Sequence, residues 1–241
     1  MEHQTKTILF VHHGKGLGGA PLSLLYLIQG LDKNKYQPMV VFLYPSEIID
    51  LYKQNNIQTI GPLSVMDFPH TKIWWLRWYH VFTIFKAIKD LFKTIFFTAP
   101  NIFDALKPDI VHLNTSSLVG WAIAAHKKKI PVAWHIREPL AHGYFGLRKA
   151  FITHCIQQYA TAIIPISRND ARPWRENKKT IVLPNTVNPA QFDPDAIAAK
   201  GLDVAPSLPG EAWAQAEAQN EKPWALNVSL DPGLRRDDKE P

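Results

Sequence analysis

Gly14, Gly16 and Gly19 lie in the segment Gly14-Lys15-Gly16-Leu17-Gly18-Gly19, between a strand-like run (Thr7 to His12) and a helix-like run (Ala20 to Leu31). A strand that ends in glycines and opens a helix brings bare backbone N–H groups to a positive helix end. Phosphate or sugar hydroxyls bind at such a place because no Cβ blocks their approach. The same glycines equally suit a tight βα turn that holds no ligand. A second cluster, Val132-Ala133-Trp134-His135-Ile136-Arg137-Glu138-Pro139, ends a predicted inner strand with His135, Arg137 and Glu138. There an imidazole can donate to a sugar hydroxyl or contact developing charge, and a guanidinium can meet a phosphate. The plainer alternative is a strand-end histidine beside a local Arg/Glu pair. His112 and Asn114 end the preceding predicted strand and reach the same rim.

Positioning these groups requires a sheet whose strands all end at one edge. Short apolar runs at Ile8–Val11, Met39–Leu43, Ile57–Ile60, Ile110–Leu113, Val132–His135, Ala162–Ile166 and Thr180–Leu183 read as strands. Helical patterns fill the gaps at Pro21–Leu31, Glu47–Gln54, Trp74–Phe97, Leu118–Lys128, Phe145–Tyr159 and Arg168–Glu176. Such alternation predicts an α/β fold, a Rossmann-like doubly wound parallel sheet reached by right-handed crossovers. The expected domain covers residues 1–195. Residues 196–241, rich in Ala, Pro and Glu, read as a poorly ordered linker plus one strand-like run at Trp224–Val228.

Composition narrows the function. The chain of 241 residues is 46% apolar, enough for a real core. Residues 1–195 carry 22 Lys/Arg against 13 Asp/Glu, so the main body is basic and suits an anionic partner such as a nucleotide diphosphate or a lipid surface. One cysteine, Cys155, excludes an internal disulfide and fits a reducing, cytoplasmic compartment. Met1-Glu2-His3-Gln4 has no signal-peptide character, and no apolar run is long enough to span a membrane. Ten histidines include no H-E-x-x-H spacing, so no metal is expected; G-x-S-x-G and nucleic-acid motifs are likewise missing. An NAD site wants an acid at the second strand's tip, where Tyr44, Pro45 and Ser46 stand instead. Lys127-Lys128-Lys129 reads as a solvated helix end.

Within Trp74–Phe97, residues Trp74, Trp78, Val81, Phe85, Ile88, Phe92 and Ile95 recur at steps of four and three, with Lys86, Lys89 and Lys93 on another face. This pattern fits a basic amphipathic helix lying on the inner face of an anionic membrane. It also fits a core-facing stripe with a solvated lysine face.

Taken together, the chain resembles over about residues 5–195 the N-terminal domain of family 4 glycosyltransferases, which have the GT-B architecture of two facing Rossmann-like domains. The resemblance lies in Gly18-Gly19-Ala20, Pro108-Asp109-Ile110-Val111-His112, His135, Ile166-Ser167-Arg168 and Leu183-Pro184-Asn185-Thr186-Val187-Asn188. It implies metal-independent, retaining transfer from a nucleotide sugar, the only co-substrate, to a glycan or lipid-linked acceptor of the cell envelope. It places Gly18 and Gly19 near the donor's sugar or phosphate, Ala20 among the substrate-binding residues, His135 as the catalytic contact to the transferred sugar, and His112 and Asn114 towards the acceptor. In that family the second half holds the donor nucleotide with a basic pair and two glutamates eight positions apart. No two glutamates here have that spacing, so a truncated product, inactive by itself, is the expectation.

Overall fold

Apolar residues in near-continuous runs are what a strand buried on both faces requires, and six such runs pair in parallel. The computed structural model describes residues 5–14, 16, 18–65, 67–68, 80–142 and 144–185. In chain order the elements are β1 (Lys6–His12), α1 (Gly19–Gln29), β2 (Tyr36–Phe42), α2 (Ile48–Gln54), β3 (Gln58–Ile60) and α3 (His80–Lys93). A π-turn (Thr94–Thr98) leads into α4 (Ala99–Leu106), followed by β4 (Ile110–Leu113), α5 (Val119–Lys127), β5 (Val132–Ile136), α6 (Leu147–Tyr159) and β6 (Ala162–Pro165). The strand order is β3-β2-β1-β4-β5-β6. The order reverses between β1 and β4, the switch point where an open α/β sheet leaves a crevice at its carboxyl edge.

Alternation along the strands divides the core. Leu9, Val11, Val111, Leu113, Trp134 and Ile136 pack with Phe103 of α4, Trp121 of α5 and Ile152 of α6. Ile8, Phe10, Val40 and Phe42 face the other way, against Leu24 and Ile28 of α1 and Ile48 and Tyr52 of α2. Tyr52 donates its hydroxyl hydrogen to the Pro21 carbonyl at 2.7 Å and so locks α2 to the first turn of α1. At the start of β4, Asp109 accepts the Thr7 N–H at 2.7 Å and fixes β4 against β1. The Pro108-Asp109 pair therefore has a structural task.

Three expectations change. Thr180–Leu183 forms a single parallel bridge, Thr180 to Ile163, rather than a seventh strand, although Ile181 and Leu183 still donate to Ile163 and Pro165. Arg168–Glu176 is not an α-helix; its core is one 3₁₀ turn, Arg172–Trp174, because Pro173 removes a backbone donor. The Trp74–Phe97 helix is described from His80 only, and it continues through the π-turn into α4, which sequence periodicity did not separate. Trp74 to Tyr79 and the expected linker at 196–241 lie outside the described residues.

Candidate functional site

Register brings the polar residues level. Val11 pairs with Leu113 and Leu113 with Trp134, so the next positions along, His12, Asn114 and His135, share one row at the carboxyl edge. All three lie on the face that carries α1, together with His112 and Arg137. The apolar alternation of that face ends here in a buried polar layer: His12, His112, Asn114, His135 and Arg137 are all buried.

Arg137 is the centre of the layer. Its Nε donates to Asn114 Oδ1 at 2.6 Å, and its Nη1 donates to Ser23 Oγ at 3.1 Å and to Asn185 Oδ1. Nη2 faces His135 Nδ1 at 3.4 Å, and Asn114 Nδ2 lies 3.0 Å from His12 Nδ1. Ser23 belongs to α1 and Asn185 to the exit segment after Leu183, so one guanidinium ties together α1, the ends of β4 and β5, and the way out of the domain. Glu138 turns elsewhere, accepting from the Thr115 hydroxyl and from the Ser116 N–H at 3.1 Å. Burial lowers the Arg137 pKa to about 10, opposed by Tyr52 and Glu138, so the group remains a cation at neutral pH.

The glycine segment closes the same edge. Gly18 precedes α1 in extended conformation with no side-chain cap, and the first turn of α1 carries no acid. The first backbone N–H groups of α1 are therefore free of side-chain acceptors from the cap. Open space surrounds the Cβ position of Gly19, whereas a Cβ on Gly14 would come within 2.8 Å of His12 Nε2. Gly16 has φ +74, which favours glycine, and its N–H donates to Ser46 Oγ at 3.0 Å. Ser46, at the second strand's tip, thus holds the glycine loop.

A family model described as Glycosyltransferase Family 4 matches residues 17–191. The chain belongs to glycosyltransferase family 4. Among solved structures, Anabaena Alr3699/HepE in complex with UDP and glucose matches with TM-score 0.55 and 16% identity, over 88% of this chain and 57% of that one. Acinetobacter baumannii MurG matches with TM-score 0.50 and 17% identity, over 76% of this chain and 47% of that one. These likenesses establish the Rossmann-like fold of a GT-B glycosyltransferase domain. The chain spans about half the length of those two structures. No curated protein matches it.

In this family 4 chain, the expected residues Gly18, Gly19, Ala20, His112, Asn114, His135, Arg137 and Glu138 all come to the carboxyl edge, at the ends of β1, β4 and β5. His112 is packed between rings, 4.8 Å from Phe10 and 5.4 Å from His135 by centroids. Arg137 and Glu138 attract each other electrostatically, while their hydrogen bonds go to different partners. His12, Ser23 and Asn185 were missed as site residues; the signal for His12 was its parity with Phe10 at the end of β1. Past β5, Glu138, Lys149, Asp170 and Arg172 line a cleft of about 210 Å³ on the same edge.

Three imidazoles in the layer are strongly depressed. Burial lowers His12 to about 3, helped by His13 and Arg137 and opposed by Glu138. Burial and then Arg137 lower His112 to about 3, and burial, Arg137 and His112 lower His135 to about 2. All are neutral at physiological pH. The Nε2 atoms of His12, His112 and His135 are buried without a hydrogen-bond partner among the described residues.

The lysine run is also more engaged than a solvated end. Lys128 pairs with Asp104 at 2.6 Å, and Lys127 lies 4.0 Å above the Phe96 ring.

Proposed function

We propose that this chain forms the acceptor-side wall of a retaining, metal-independent sugar-transfer site. A nucleotide sugar supplies the group and a glycan or lipid-linked envelope molecule receives it. One observation carries the reading. The uncapped start of α1, with open space at Gly19, and the unpartnered Nε2 of His135 occur on one sheet edge, linked through Ser23 and Arg137. Backbone amides there suit a phosphate or sugar oxygen, and the imidazole of His135 contacts the transferred sugar. Arg137 and Asn114 hold that imidazole in place. On this reading the chain turns over little by itself, because stabilising the departing diphosphate belongs to a facing wall.

Saturation-transfer NMR with UDP-glucose, UDP-N-acetylglucosamine and GDP-mannose tests the assignment; UDP-glucose is included because HepE was solved with UDP and glucose. Saturation is expected on sugar protons more than on the base, and it should vanish in Gly19→Trp and weaken in His135→Ala. Absence of saturation from every donor would remove the proposal.

A second surface favours membrane contact at the cytoplasmic leaflet. Phe82, Phe85, Phe92 and Phe96 follow one seam of α3 and the π-turn, and Phe82 and Phe85 are 72% and 67% exposed. The core takes Ala87, Thr94 and Ile95 instead. Lys86, Lys89 and Lys93 are exposed around that seam, complementary to anionic headgroups. Flotation with phosphatidylglycerol vesicles, but not with phosphatidylcholine alone, is expected; no flotation with either sinks the membrane contact.

A further inference from the structure

We propose that Arg137 is a positioning residue that sets the proton on two imidazoles, holding His135 directly and His12 through Asn114 as neutral rings with hydrogen on Nε2. A guanidinium has donors only. Nη2 faces His135 Nδ1 at 3.4 Å, so that nitrogen accepts and carries no proton. Nε donates to Asn114 Oδ1 at 2.6 Å, which fixes which end of the amide is oxygen. Asn114 Nδ2 therefore donates to His12 Nδ1 at 3.0 Å, and that nitrogen also accepts. Hydrogen-bond direction runs outward from Arg137 along both arms and leaves each neutral ring with its hydrogen on Nε2.

Both Nε2 atoms are buried and have no acceptor among the described residues. A buried N–H left unpaired is costly, so a ligand oxygen that accepts from it binds favourably. His12 Nε2 lies beneath Gly14, where a Cβ would approach to 2.8 Å, so this donor belongs to the glycine segment. At this edge both imidazoles thus present donors only. They take hydroxyl or phosphate oxygen, and neither imidazole serves as a proton acceptor at neutral pH. This deepens the sugar-transfer reading and rests on it for the identity of the ligand; the proton positions can be measured without any ligand.

Long-range ¹H–¹⁵N correlation of histidine-labelled protein at pH 7, with His12→Gln and His135→Gln for assignment, reads the tautomers. Both rings should be in the Nε2–H form by more than about tenfold, the ratio that 1.4 kcal/mol of preference sets. Arg137→Lys, still a pure donor, should keep that form at His135. Arg137→Gln, whose carbonyl can accept, should let the Nδ1–H form of His135 rise towards equal population. Substantial Nδ1–H at either ring in the native chain overturns the proposal, even if Arg137→Gln does not fold. An unchanged His135 ratio in a folded Arg137→Gln overturns it as well. Nε2–H tautomers in a protein that binds no nucleotide sugar would leave this inference standing and remove only the functional reading.

Discussion

The layer around Arg137 and the outer seam of α3 are opposites in one domain, since the first buries charge and imidazoles while the second exposes phenylalanines. Burying a guanidinium is costly, and here hydrogen bonds to Asn114, Ser23 and Asn185 offset the cost inside the chain. Among the described residues the exposed seam has no comparable offset. Phe92 stacks on Phe96 at 6.1 Å, and Lys127 covers part of Phe96, yet both rings remain exposed. A contiguous apolar patch of this kind is what the proposed membrane contact would cover. The first departure from ordinary burial is thus resolved by folding, and the second leaves apolar rings exposed among the described residues.

Acid should break the comparison most strongly. Burial holds the folded-state pKa values of His12, His112 and His135 at about 3, about 3 and about 2, below the ordinary histidine value of 6.5. Between those values and pH 6.5 the unfolded chain binds protons that the folded chain does not. Stability is therefore complete above pH 6.5 and falls as pH drops, by up to about 1.4 kcal/mol per pH unit for each imidazole. Urea midpoints measured from pH 7 to pH 4 check this, and replacing His112 with Phe should flatten the slope. A pH-independent midpoint would mean that the layer is not buried in solution.

Arg137→Ala comes next, with an expected loss of about 3 kcal/mol, because Asn114, Ser23 and Asn185 lose a buried donor together. A loss below about 1 kcal/mol in urea denaturation would show that the layer does not hold the edge together. On the opposite surface, Phe85→Ser with Phe92→Ser should change stability by no more than about 0.5 kcal/mol, yet lower the vesicle-bound fraction at least about tenfold. Equal flotation of this variant and the native chain would mean that the seam faces something other than lipid.

A last pair of variants separates the glycines. Gly14→Ala forces the His12 ring to move, since the new Cβ would lie 2.8 Å from Nε2, and should cost about 1–3 kcal/mol. Gly19→Ala meets open space and should leave the melting temperature unchanged while weakening sugar-donor saturation. Equal thermal shifts for the two variants would erase the distinction between packing and ligand approach.

Much of the fold was readable because buried parallel strands need continuous apolar runs. Ile110–Leu113 matched its observed strand, and the other five strands were found with ends shifted by one to three residues. Thr180–Leu183 was overread, as a short apolar run does not reveal whether a neighbour will extend the ladder. The Trp74–Phe97 pattern gave the helix but not its inward face: Phe85, Ile88 and Phe92 were part of the proposed stripe, yet all three are exposed. Two apolar stripes side by side share the same period, and only packing against α5, where Gly120 admits Thr94, selects one.

By itself the sequence determined the alternation of strands and helices, the glycines at the first crossover and the imidazole of His135 near a strand end, all of them local properties. The tertiary structure alone decided that Ser23, Asn114, Asn185 and His135 meet on one guanidinium. Ser23 and Asn185 are 162 residues apart in the chain, and no local periodicity encodes a contact across that distance. The parallel register and the order of the strands bring them together, and the need to satisfy a buried cation keeps them there.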